Sequence, residues 1–132
     1  MARNTTQRKF ILAAFEAADR PMGPNEVRSA ALESAPALGI ATVYRAIKDL
    51  LEEGWLTAVN LPGEATRYER AGKRHHHHFH CNRCKRVFEA DGCSLSLKKL
   101  VPPGFKLMTH ELVLYGLCAG CCTGLEPPTT DP

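Results

Sequence analysis

The chain has 132 residues, 44% hydrophobic and 23% charged, which is room for one small domain or two very small ones of soluble, globular composition. The net charge of +3 is uneven, with nine basic and nine acidic residues in 1–70 and eight against five in 71–132, so a nucleic-acid partner must be met by local placement of cations. No apolar stretch approaches the ~20 residues of a membrane span, and the Met1-Ala-Arg-Asn-Thr start lacks a signal-peptide core. Membrane partners are thereby excluded, and a reducing cytoplasm is expected.

Phe10, Ile11, Ala14, Phe15 and Ala18 recur at three and four residues and predict a helix over 6–18. Arg20-Pro-Met-Gly breaks it. Pro24 suits the first turn of a second helix, where its missing N–H goes unnoticed; that helix carries Val27, Ala30, Ala31 and Leu32. Residues 34–39 make a connector. A third helix starts near Ile40, with Ile40, Val43, Ile47, Leu50 and Leu51 turned inward, and ends at Gly54. Short strands over 55–60 and 65–69 flank a Leu61-Pro62-Gly63 turn. Three helices and a hairpin is the order of a winged helix-turn-helix. The third helix also keeps Thr42, Arg45, Lys48 and Asp49 beside Tyr44; a helix buried all round has no use for that face, whereas a major-groove reader needs it.

The second half has strand-like runs at 79–81, 86–90 and 106–117, with a short helix over 94–101 ended by Pro102-Pro103-Gly104. About 48 residues bury little core alone. Cys81-x-x-Cys84 and Cys118-x-x-Cys121 supply a remedy: two knuckles can close four thiolates around one zinc ion, a structural site with no open position. Cys122 could stand in for Cys121. A redox reading needs a thiol at a helix N-terminus, and nothing before Cys81 or Cys118 looks like a helix start. Cys93 lies outside both pairs.

His75 to His78 run directly into the first knuckle. Alternate residues of a strand share a face, so His76 and His78 can grip one ion, while His75 and His77 share the other face with His110 in reach. Neither HExxH nor HxE with PCxxC is present, so no enzyme and no small-molecule substrate are expected. A metal-buffering protein would explain the histidines and cysteines but leave the Tyr44/Arg45 face without a purpose.

Together Ala41-Thr-Val-Tyr-Arg45, His76-x-His78-x-x-Cys81-x-x-Cys84 and Leu114-Tyr-Gly-Leu-Cys118-x-x-Cys121 resemble the ferric uptake regulator family of metal-dependent repressors. The resemblance implies an α+β fold: a winged-helix domain over 1–70, a hinge at 71–74, a zinc-binding dimerisation domain over 75–122, and a disordered tail over 123–132. It implies a homodimer that binds AT-rich inverted repeats in double-stranded operator DNA when metal-loaded. Glu69 and Glu89 join His76 and His78 at the sensory site by family position. A second regulatory site, His75, His77 and His110, has Ser96 where relatives carry a carboxylate, with Glu111 or His80 as substitutes. Tyr44 is placed to meet a thymine methyl, Thr42, Arg45 and Lys48 to reach bases or phosphates, and Arg8 and Arg20 to clamp the backbone. Iron, manganese and peroxide sensors of the family carry a histidine where this chain has Met22, and a four-ligand site suits Zn2+ better than Fe2+ or Mn2+.

Overall fold

The computed structural model describes residues 2–91 and 97–123 and divides into two compact units, Met1–Lys73 and Arg74–Pro132. Cys93, Ser96 and the tail beyond residue 123 lie outside the described residues.

The first unit runs α1 (Ala2–Ala18), α2 (Pro24–Ala31), α3 (Ile40–Glu52), β1 (Leu56–Val59) and β2 (Arg67–Arg70). Helix α1 starts four residues before the expected 6, because nothing between Ala2 and Thr5 (no glycine, no proline) halts it. Pro24 is the first residue of α2, and Glu26 accepts the Gly23 N–H at 3.3 Å, closing the helix start. Helix α3 ends in a Schellman turn. The Trp55 N–H reaches Leu50 O at 2.9 Å and the Gly54 N–H reaches Leu51 O at 3.1 Å, with Gly54 at φ 81°. That left-handed residue turns the chain straight into β1.

Strands β1 and β2 pair antiparallel from Leu56↔Arg70 to Val59↔Arg67. Met22 adds a one-residue antiparallel bridge to β2, exchanging both backbone hydrogen bonds with Tyr68 at 2.9 Å each, which ties the wing to the α1–α2 corner. Ile11 and Phe15 from α1, Val27 from α2, and Val43, Ile47 and Leu50 from α3 fill the core beneath. Each such buried side chain stabilises by ~1.5–3 kcal/mol. This is a winged helix-turn-helix.

The second unit runs β3 (His76–Cys81), β4 (Val87–Asp91), a 3-10 turn (Leu97–Leu100), β5 (Val113–Gly116) and a one-turn α4 (Ala119–Cys122). The sheet order is β4-β3-β5, with β3–β4 antiparallel and β3–β5 parallel. The last strand is far shorter than the expected 106–117. The register explains it: His78 sits opposite Val113, so a strand reaching back to Lys106 would have passed the start of β3 and found no partner. Beyond β3, residues 106–109 are exposed. Gly116 lets β5 approach; a Cβ there would stand 3.0 Å from Phe79 Cζ. Among the described residues this unit buries only Cys81 and Val87 as apolar side chains, against fifteen in the first unit. No described helix is long and apolar enough to cross a membrane.

Candidate metal centres and nucleic-acid face

The two knuckles meet at the end of the sheet. Cys81 closes β3, Cys84 follows within its turn, and Cys118 and Cys121 come from the start of α4 after β5. Hydrogen bonds lock them together: Lys85 N–H to Cys81 O at 3.0 Å, Cys81 N–H to Arg86 O at 3.0 Å, and Asn82 N–H to Gly116 O at 2.7 Å. The four sulfurs lie within 4.8 Å of one another, Cys84 and Cys118 at 3.9 Å. A tetrahedral zinc with Zn–S ~2.3 Å has sulfur–sulfur edges of ~3.8 Å. The cluster fits that ion.

Its electrostatics agree. Burial pushes the Cys81 thiol up, but the N–H groups of Cys118, Cys84 and Arg83 outweigh burial and bring it down to about 5. Burial and the sulfurs of Cys118, Cys81 and Cys84 push Cys121 up to about 12. Crowded sulfurs resist joint ionisation, and a dication removes that conflict. Cys118 does cap a helix, contrary to the sequence expectation, but α4 is one turn long and its cysteine stands in a four-sulfur cluster. Cys122 is exposed, with its sulfur near Leu117 O. It is outside the cluster.

Strand β3 also sets out the imidazoles. His76 and His78 occupy one face, with ring centroids 4.9 Å apart, and His78 pairs with Glu89 across the β3–β4 ladder. His76 Nε2 is 4.0 Å from Glu89 Oε1. The backbone carbonyl of Arg74 lies 2.7 Å from His76 Nδ1. A carbonyl can only accept, so Nδ1 carries a proton and the ring is oriented with Nε2 toward Glu89. No sequence signal marks that backbone contact. Glu69 lies on β2 of the first unit, opposite Thr57, and is buried.

The other face carries a second cluster. His75, His77 and His110 bring one nitrogen each within 4.8 Å of the others, and His75 Nε2 lies 3.0 Å from His110 Nε2. His77 Nε2 is buried without a hydrogen-bond partner. Burial, then the neighbouring histidines, lower the His77 pKa, which keeps a neutral, ligand-ready imidazole. His80 cannot complete this triad, because strand alternation puts it with His76 and His78.

On the first unit, α3 leaves Ile40, Ala41, Tyr44, Arg45, Lys48 and Asp49 exposed along one stripe and buries Val43, Ala46, Ile47 and Leu50. Arg45 donates to Thr42 Oγ1 at 3.2 Å. Ile40 departs from its expected inward position at 36% exposed, since it opens the helix above the core. Arg8 is half-buried and paired with Glu53. Arg20 is mostly covered, donating to Glu26 at 2.8 Å and to Pro21 O at 3.1 Å. That guanidinium holds the α1–α2 corner. Met22 is buried in the core.

The family model of the ferric uptake regulator family matches residues 1–115. The chain belongs to this family. The ferric uptake regulation protein of Campylobacter jejuni subsp. jejuni is 31% identical over 122 residues, covering 89% of this chain and 78% of that protein. Among solved structures, a zinc-bound manganese uptake regulator shares 25% identity and a TM-score of 0.76, with 85% of this chain and 87% of that chain covered. The ferric uptake regulator of Francisella tularensis with iron shares 29% identity and a TM-score of 0.64, covering 87% and 90%. Proteins of the ferric uptake regulator family are metal-responsive transcription regulators, and this chain is one of them. Its relatives are named for different metals, so membership leaves the sensed ion open.

Proposed function

We propose that this family member is a zinc-responsive cytoplasmic repressor that binds AT-rich inverted repeats as a homodimer. The observation that carries the reading is the His76 lock: its Nδ1 proton is engaged by Arg74 O, so Nε2 is presented beside His78 and Glu89. The structural zinc would be held by Cys81, Cys84, Cys118 and Cys121. The sensed ion would be held by His76, His78 and Glu89 with Glu69 from the first unit, and His75, His77 and His110 would form a second, modulating site.

Residues 1–73 contain no histidine or cysteine, and Met22 is committed to the core. The first unit therefore offers only carboxylates, leaving a mixed nitrogen and oxygen set of about four ligands that suits zinc. A dication held by Glu69 together with the β3–β4 ligands would favour one arrangement of the two units within a mixed population. Moving the balance from mostly open to mostly closed requires about 5.5 kcal/mol of differential affinity. In the closed dimer, Thr42, Tyr44, Arg45 and Lys48 meet the major groove and Arg8 the backbone. Exposed Leu114 and Tyr115 on the edge strand β5 support a second copy as the partner.

Iron or manganese sensing is the second reading, favoured by the 31% identity to an iron regulator. Operator binding followed by fluorescence anisotropy under zinc, iron(II) and manganese(II) separates the two. Activation by zinc at the lowest free concentration is expected; activation by iron(II) or manganese(II) with zinc inert rejects the zinc reading.

A further inference from the structure

The exposed stripe of α3 is graded along its length. Its first turn presents Ile40 and Ala41, its second Tyr44 and Arg45, and its third Lys48 and Asp49. Ile40 and Tyr44 are four residues apart, hence neighbours on one helix face, and they are 36% and 54% exposed. Nothing in the core needs Ile40, since the inward side of α3 is filled by Val43, Ile47 and Leu50. A single exposed aliphatic residue needs no explanation. An aliphatic residue at the leading end of a recognition helix, continuous with an aromatic ring and followed by two cations, has a defined complement in DNA. The N-terminal residues of such helices meet base edges, and the apolar feature of the major groove is the C5-methyl of thymine. Arg45 and Lys48 supply the charge complement for the flanking phosphates.

We propose that Ile40 is a specificity-determining residue that packs, with Tyr44, against thymine methyl groups, so each half-site is read partly through C5-methyls and not only through hydrogen bonds. This rests on the proposed DNA-binding function. It assigns the base chemistry at the front of α3.

The test uses duplexes selected from a randomised pool by the full chain, loaded in turn with zinc, manganese(II) or iron(II). Each half-site thymine is then replaced by deoxyuridine, which removes the methyl and keeps base pairing and phosphates. At the thymines under Ile40 and Tyr44, each lost methyl contact should weaken binding about fourfold, and about 15-fold when both half-sites are changed. Ile40→Ala should weaken the thymine duplex similarly and become indifferent to uracil at one position, while staying sensitive at the Tyr44 position. Its melting temperature should match wild type, because Ile40 is outside the core. Equal wild-type affinity for thymine and uracil duplexes overturns methyl reading while leaving DNA binding intact. Uracil sensitivity unchanged in Ile40→Ala overturns the role of Ile40. If no duplex is recovered under any metal, the DNA-binding reading falls and takes this inference with it.

Discussion

Removing the structural zinc should melt the second unit and spare the first. Among the described residues the second unit buries Val87 and the ligand cysteine Cys81, so only Val87 counts as apolar core, stabilising by about 1.5–3 kcal/mol. A four-thiolate zinc site supplies ~10–16 kcal/mol, more than any other single contribution there. The first unit depends on its own core. Hydrogen exchange after chelation is the assay. The Cys81 and Asn82 amides, bonded to Arg86 O and Gly116 O, should lose protection; the Met22 and Tyr68 amides, bonded to each other's carbonyls, should keep it. Trp55, the chain's one tryptophan, packs edge-on against Phe15 at 6.2 Å, so its emission should not change. Protected Cys81 and Asn82 amides in zinc-free protein would refute the argument that zinc stands in for the missing core.

Replacing His76 and His78 together by alanine should abolish metal-dependent operator binding while one zinc per chain remains by elemental analysis; unchanged operator affinity removes these residues from the sensory site. Gly116→Val should destabilise the second unit by about 1–3 kcal/mol through overpacking against Phe79 and speed zinc loss to a chelator. A wild-type release rate would show that β5 need not come so close. Leu50→Ala should lower first-unit stability by about 2–5 kcal/mol, read by Trp55 in urea, with zinc content unchanged. A loss below ~1 kcal/mol would mean that the core collapses around the gap.

Wherever one residue's chemistry announces its neighbours, the sequence was legible. The CxxC spacings mark the four-sulfur cluster, and the period of α3 separates Val43, Ile47 and Leu50 from Tyr44, Arg45 and Lys48. Helix α1 and strand β5 were misjudged in opposite directions. Propensity cannot say where an unopposed helix start stops, and a strand's length is fixed by its partner, here the six residues of β3. Ile40 was misplaced because apolar character alone does not tell a core residue from one that faces a ligand. The charge of Arg20 is visible in sequence, whereas its partner Glu26, six residues on, is not. The Arg74 carbonyl that orients His76 is backbone, and no residue identity encodes it.

His75 and the first three residues of β3, His76, His77 and His78, are chemically alike and by themselves say nothing of the strand's alignment. Slide it one residue along β4, and His75 and His77 would exchange faces with His76 and His78, with an imidazole pair on each side as before. The histidines therefore cannot hold the strand in register. Cys81 can, because it ends the same strand and only one alignment brings its sulfur to Cys84, Cys118 and Cys121. The thiolate cluster thus acts as a ratchet stop, deciding which imidazoles face Glu89 and which face His110.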